Sequence, residues 1–189
     1  MSNSLSQSIC VFCGSSSEVD ELYKKAAQEI GCVIGVRGYT LIYGGGRLGL
    51  MGIVADATLA AGGKVIGVIT KVLQNLQISH ARYDKLLVTD SMHERKRLMY
   101  DLADAFIILP GGLGTMDETM EVLVWLQLKL LDKPLVMLDI NDFWRPMFAL
   151  IDHTIAAGFT SEENRNLYKA VSTTSEVFDV IGNWSAQEK

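Results

Sequence analysis

Short apolar runs that stop at glycine or serine alternate with helical patterns along the whole chain, and this alternation constrains the fold more than any other feature. The runs at 9–13, 39–43, 64–69, 86–89, 105–109 and 135–138 read as strands, with a weaker one at 170–172. Residues 20–36 carry Leu22, Ala26, Ala27, Ile30, Val33 and Ile34 at helical spacing, and 49–61 form a helix stopped by Gly62-Gly63. Further helices are expected at 91–103, 114–131, 143–157, 161–168 and 175–182, while 70–84 shows no period and reads as a loop reaching over a site. Strands joined by helices require crossover connections, hence a parallel sheet covered on both faces. The expectation is a single Rossmann-like three-layer α/β domain over 1–189, with a parallel sheet of six or seven strands and a flexible tail at 1–8. In such a fold, function gathers at the carboxyl ends of the strands.

Charge and cysteine usage narrow what the chain can bind. Its 17 Lys and Arg against 22 Asp and Glu leave a net charge of −5, which argues against a nucleic-acid surface but permits a local pocket for a small anion. There is no run of about 18 uncharged apolar residues, and the start, MSNSLSQS, lacks the basic and apolar parts of a signal peptide. No membrane partner is expected. Cys10 and Cys13 form a C-x-x-C inside the apolar run ICVFC, and Cys32 stands alone. With no second pair to complete a metal site, they read as reduced thiols of a cytoplasmic protein. His80, His93 and His153 have no H-x-x-x-H spacing, so no metal is expected.

The segment FIILPGGLGTMDETME, 106–121, carries the chemistry. An apolar strand runs through Pro110 into Gly111-Gly112-Leu113-Gly114-Thr115 and then a helix, an arrangement whose amides and dipole attract a phosphate. It lacks the G-K-[ST] ending of a nucleoside-triphosphate loop. Thr115-Met116-Asp117-Glu118 also fits a T-x-x-E capping box, which explains Thr115 and Glu118 locally but not the glycines before them. A second loop, Gly44-Gly45-Gly46 to Gly49, gives G-x-G-x-x-G between a strand and a helix. The acid that a dinucleotide site needs on the next strand is missing at Ile69-Thr70-Lys71, so a mononucleotide is preferred. Tight strand–helix packing is the other reading of those glycines.

After the fourth strand, Ser91 and Glu94 resemble a capping box, and Arg95, Lys96 and Arg97 occupy early helical turns where the dipole disfavours cations. Arg95 is therefore expected to be held toward an anion. Strands four and five are expected to be neighbours, which would let Arg95 meet Glu118 across one cleft. Met116, Met120, Leu123, Val124, Leu128 and Leu131 are assigned to the buried side of the long helix, and Trp125 to the core or an interface.

On these residues the chain resembles the Lonely Guy family of cytokinin riboside 5′-monophosphate phosphoribohydrolases, long mislabelled as lysine decarboxylases. Pro110 to Glu118 matches P-G-G-x-G-T-x-x-E, and Met92-His93-Glu94-Arg95-Lys96 matches M-H-x-R-K. Cys13-Gly14-Ser15-Ser16 and Tyr43-Gly44-Gly45-Gly46 to Gly49-Leu50-Met51-Gly52 precede them in order, and the likeness spans roughly 9–160. The resemblance implies a homodimeric enzyme cleaving the N-glycosidic bond of AMP or N6-prenylated AMP to free base and ribose 5-phosphate, with no cofactor. It implies Arg95 and Glu118 as the catalytic pair and Lys96, Gly112, Gly114 and Thr115 as nucleotide-binding positions. Ser15, Gly44, Gly45, Gly46, Met92, Gly111 and Leu113 complete the expected substrate-binding set, to which the catalytic pair also belongs. Thr115 and the glycines are expected to address the phosphate and Glu118 the sugar carbon, leaving Asp117 and Glu121 a helix-start or surface role. Gln77, where the family usually has Glu, and Val124, where it often has Thr, leave the base preference open. The alternatives are a non-catalytic nucleotide or pterin-cofactor carrier of the same fold, and a pyridoxal-phosphate lysine decarboxylase, for which Lys96 is the one lysine in a motif.

Overall fold

The computed structural model describes residues 7–75 and 83–187. Seven strands pair in parallel: β1 (Ser8–Phe12), β2 (Thr40–Tyr43), β3 (Lys64–Thr70), β4 (Lys85–Thr89), β5 (Ala105–Ile108), β6 (Leu135–Leu138) and β7 (Lys169–Val171). The helices are α1 (Glu21–Val36), α2 (Gly49–Ala60), α3 (Lys71–Asn75), α4 (Met92–Leu102), α5 (Leu113–Gln127), α6 (Arg145–Ala156) and α7 (Thr174–Gln187).

The strand runs are apolar throughout because both faces of the sheet are covered. Ile9 and Val11 of β1 pack with α1, α2 and α7, through residues such as Ile30, Val54 and Phe178. The alternate residues Cys10 and Phe12 face α4, α5 and α6, through Tyr100, Val122 and Trp144. On that second face Phe12, Tyr100, Phe106 and Trp125 form an aromatic cluster, with Tyr100 edge-on to the other three. Three layers result, as the alternation predicts.

The strand order is β4-β3-β2-β1-β5-β6-β7. The chain builds outward from β1 to β4, then returns to start again on the other side of β1 with β5. A crevice opens at such a reversal beyond the strand ends. The order corrects one expectation: β4 is an edge strand beside β3, and β5 lies beside β1, so the fourth and fifth strands are not neighbours. The return is carried by α4, which packs across β4, β3, β2 and β1.

Three local expectations also change. The 70–84 segment is not all loop, because α3 follows β3 directly and Thr70 Oγ1 accepts from the Leu73 amide at 3.3 Å. The helix expected at 161–168 is a 3₁₀ turn, Glu162–Asn166, begun by the Ser161 side chain accepting from Glu163 N at 3.4 Å. The sheet takes in part of the expected tail, since β1 starts at Ser8, whose amide donates to Asp104 Oδ2 at 2.8 Å. No helix among the described residues is long and apolar enough to cross a membrane.

Candidate active site

The loop after β5 is pinned to the loop after β1. Gly14 N donates to Pro110 O at 3.0 Å, and Leu50 N donates to Gly14 O at 2.9 Å, which ties the start of α2 to the same point. Gly111 is fixed by space: a Cβ there would lie 2.1 Å from Thr115 Oγ1 and 2.9 Å from Gly14 N. With the loop held so close, α5 begins early. Gly112 is its N-cap, and no side chain caps it. The capping box expected at Thr115 and Glu118 is therefore absent, because Thr115 lies inside the first turn, buried, with Oγ1 against Gly111. The first-turn amides of α5 keep no side-chain partner, and the dipole adds partial positive charge there. Among the described residues, a Cβ on Gly112 or Gly114 would meet nothing within 4 Å. These two glycines border open space.

The start of α4 follows the expected pattern more closely. Ser91 Oγ accepts from Glu94 N at 3.1 Å, and Glu94 Oε2 accepts from Asp90 N at 2.9 Å. One turn in, the buried Arg95 donates through Nε to Val68 O and through a terminal nitrogen to Glu118 Oε1, both at 2.9 Å. The side chains of this pair are 7% and 12% exposed. Arg95 reaches Glu118 across the sheet face and not from a neighbouring strand, and it does so over Gly44. A Cβ at Gly44 would lie 2.4 Å from the Arg95 guanidinium, so this glycine makes room for a protein side chain.

The electrostatics follow from that burial. Desolvation pushes the Glu118 carboxyl above the ordinary carboxylate value, and Asp117 acts in the same direction, while Arg95 and Lys96 oppose the shift. Burial likewise pushes the Cys13 thiol well above its ordinary value, with the charge of Glu118 adding to it. Cys10 is raised for the same leading reason. Neither is a nucleophile.

A cavity of about 250 Å³ collects these groups at the ends of β1, β2 and β5. Of the residues expected from sequence, Ser15, Gly44, Gly46, Met92, Arg95, Gly112, Leu113, Gly114, Thr115 and Glu118 line it. The other three lie elsewhere. Gly45 sits behind the wall against Ile69, Gly111 borders an adjoining cavity, and Lys96 points to Asp117 and Glu121. Gln77 lies outside the described residues. Val124 is exposed on the outer side of α5 and borders a different, apolar cavity of about 290 Å³, whose walls carry no carboxylate, lysine, arginine or histidine.

Sequence reasoning missed Cys13, Gly14, Met51, Ile69, Leu73 and Asp117 as wall residues. For Leu73 the signal is the expectation that the 70–84 segment reaches a site, and for Cys13, Gly14 and Met51 it is their place in the family motifs; for Ile69 nothing but topology distinguishes a wall residue from core. The apolar assignment on α5 is also corrected. Met116, Met120, Val124 and Leu128 are 37%, 36%, 48% and 61% exposed, and Leu123 alone of the first five apolar positions faces the core. Trp125 is half-buried against Tyr100 with the Arg97 guanidinium over its ring. Among the described residues, no group of three or more His, Cys, Asp or Glu is arranged to hold a metal ion.

A family model described as "Possible lysine decarboxylase" matches residues 51–181. The chain is 38% identical over 169 residues to a cytokinin riboside 5′-monophosphate phosphoribohydrolase from Arabidopsis thaliana, covering 89% of this chain and 74% of that protein. Against the enzyme of the same name from Oryza sativa subsp. japonica it is 40% identical over 169 residues, with 89% and 70% covered. The chain belongs to the Lonely Guy family. Solved structures of the same fold include the molybdenum cofactor binding protein from Rippkaea orientalis, at TM-score 0.73 and 21% identity over 96% of this chain and 98% of that one. Another is the molybdenum cofactor carrier protein from Chlamydomonas reinhardtii, at TM-score 0.72 and 24% identity over 96% and 99%. At such identities the likeness speaks to fold alone. The Lonely Guy motifs, separated by up to about a hundred residues along the chain, thus meet at one cavity between an uncapped helix start and a buried Arg–Glu pair.

Proposed function

We propose that this Lonely Guy chain hydrolyses the N-glycosidic bond of AMP or an N6-substituted AMP, giving the free base and ribose 5-phosphate. The observation that carries the reading is the buried Arg95–Glu118 pair, one turn inside the uncapped start of α5, with both groups on the same cavity. The helix start takes the 5′-phosphate on the amides following Gly112, with Thr115 and Ser15 at its edge. Glu118 lies a turn deeper, about 6 Å along the helix axis from Gly114, where the ribose extends away from its phosphate. As the C1′–nitrogen bond breaks, positive charge grows on C1′ and the ring oxygen, and a carboxylate beside them stabilises it. Water supplies the oxygen that joins C1′, Glu118 orients it, and the departing base takes up a proton. Arg95 holds the carboxylate in register and balances its charge between turnovers.

The chemistry calls on no cofactor. The exposed row Met116, Met120, Val124 and Leu128, at i, i+4 spacing, supports a second copy of the chain packing on α5, and the protein works as a cytoplasmic homodimer. A non-catalytic carrier would use the helix start but would have no need of a desolvated carboxylate next to it. Incubation with AMP and with isopentenyladenosine monophosphate is the test. Equimolar free base and ribose 5-phosphate are the expected products; tight nucleotide binding without either product would favour the carrier.

A further inference from the structure

Lys96 follows a catalytic arginine in the chain and stands in a substrate-binding motif, yet its ammonium faces away from the cavity. Its side chain is 9% exposed. Nζ lies 3.2 and 3.1 Å from the two carboxylate oxygens of Asp117 and 3.0 Å from Glu121 Oε2. An ammonium has three donors, and three carboxylate oxygens already surround this one. No donor remains for a phosphate. Glu121 is fixed in turn by Tyr100, whose hydroxyl donates to Oε2 at 2.5 Å, and the Tyr100 carbonyl accepts from Lys133 Nζ at 2.9 Å. Tyr100 is itself fully buried in the aromatic cluster.

We propose that Lys96 is a positioning residue, which locks the turn of α5 carrying Glu118 to α4 by gripping Asp117 and Glu121 on either side of it. This inference rests on the reading of Glu118 as the reacting carboxylate. Asp117 precedes Glu118 by one residue and Glu121 follows it by three, so the three acids share one helical turn. Without a cation between them, Asp117 and Glu121 would repel and spread the turn, and the charge of Asp117 would bear on Glu118 with Arg95 alone to oppose it. Adjacent residues of α4 thus divide the work: Arg95 holds Glu118 itself, and Lys96 holds its two neighbours. The arrangement also keeps Lys96 charged, because burial works to lower its pKa while Glu121 and Asp117 outweigh that and raise it.

The groups that bear on Glu118 are Arg95, Lys96 and Tyr100 from α4, Cys10 from β1, Cys13 just after it, and Asp117 from its own helix. Removing the lysine charge removes a stabiliser of the carboxylate, so the acid limb of the kcat–pH profile should move to higher pH in Lys96→Met. In that variant kcat for AMP should fall roughly 10- to 100-fold, with KM changed by no more than about twofold. Lys96→Arg should restore most of the rate. A KM raised tenfold or more with kcat retained would overturn the proposal and make Lys96 a phosphate ligand; no change in either constant would overturn it as well. Should Lys96→Met fail to fold, Glu121→Gln should lower kcat severalfold at unchanged KM, and an unchanged kcat there contradicts the grip. A readout independent of turnover is the ¹³C NMR titration of the Glu118 carboxyl in the full chain. Its midpoint should rise in Lys96→Met, and an unmoved midpoint sinks the proposal. Failure of the unmodified protein to cleave AMP would count against the proposed reaction alone.

Discussion

Two glycine loops frame the cavity, and Gly44 of the first and Gly112 and Gly114 of the second are glycines for opposite reasons. In the loop after β2, Gly44 stands where a Cβ would run into the Arg95 guanidinium at 2.4 Å. In the loop after β5, Gly112 and Gly114 have no described residue within 4 Å of where a Cβ would be. None of these three has a positive φ, unlike Gly45 in the first loop at +72°, so backbone strain accounts for none of them. Gly44 makes room for the protein's own Arg95, and Gly112 and Gly114 leave room beside the start of α5. Motif patterns treat the two alike. Only the question of what a methyl group would strike tells a packing glycine from a binding one.

That contrast can be broken by substitution. Gly44→Ala should have the larger effect on turnover: displacing Arg95 from Glu118 should cut kcat/KM for AMP by about 100-fold or more and destabilise the fold by roughly 1–3 kcal/mol, read by steady-state kinetics and denaturant unfolding. Gly111→Ala, which would press on Thr115 and the Gly14 amide, should cost a similar roughly 1–3 kcal/mol of stability. Gly112→Ala, at an N-cap where alanine is less favourable than glycine, should cost no more than about 1 kcal/mol of stability while raising KM for AMP roughly tenfold, equivalent to about 1.4 kcal/mol of lost phosphate binding. If Gly112→Ala unfolds the protein, or Gly44→Ala is silent, the contrast is wrong. A smaller effect concerns pH. The proposed mechanism uses Glu118 as a carboxylate, and burial raises its pKa, so activity should fall on acidification at a pH above the ordinary carboxylate value. The stability contribution has the opposite sign. A carboxyl that binds its proton more tightly when folded costs stability above its folded pKa, and that cost disappears as pH falls toward the unfolded value.

The layered fold was legible because a sheet buried on both faces writes each strand as an unbroken apolar run, and the glycines mark where those runs end. Strand order is another matter. No residue in β4 or β5 encodes adjacency, and the pairing of Arg95 with Glu118 was expected through a neighbourhood that does not exist; it arises because α4 crosses the sheet on its way back. The T-x-x-E pattern at Thr115 reads identically whether the helix starts at 113 or 116, and the choice is made by Gly111 pressing on Gly14, a contact between residues far apart in the chain. The apolar row on α5 was assigned to the core since spacing shows a stripe without showing what covers it. Asp117 and Glu121 read in sequence as a helix-start or surface pair, because nothing local shows that Lys96, some twenty residues earlier, lies between them.

The most direct test of the account is the rate of base release from AMP by Glu118→Gln, measured beside its nucleotide affinity. The amide keeps the shape of the side chain and an oxygen for Arg95 but loses the charge that C1′ needs. The expected result is an AMP Kd close to that of the unmodified protein and a kcat lowered by roughly 10²- to 10⁴-fold. Base release at the unmodified rate would contradict the assignment of Glu118 as the reacting carboxylate, and with it the reading of the cavity.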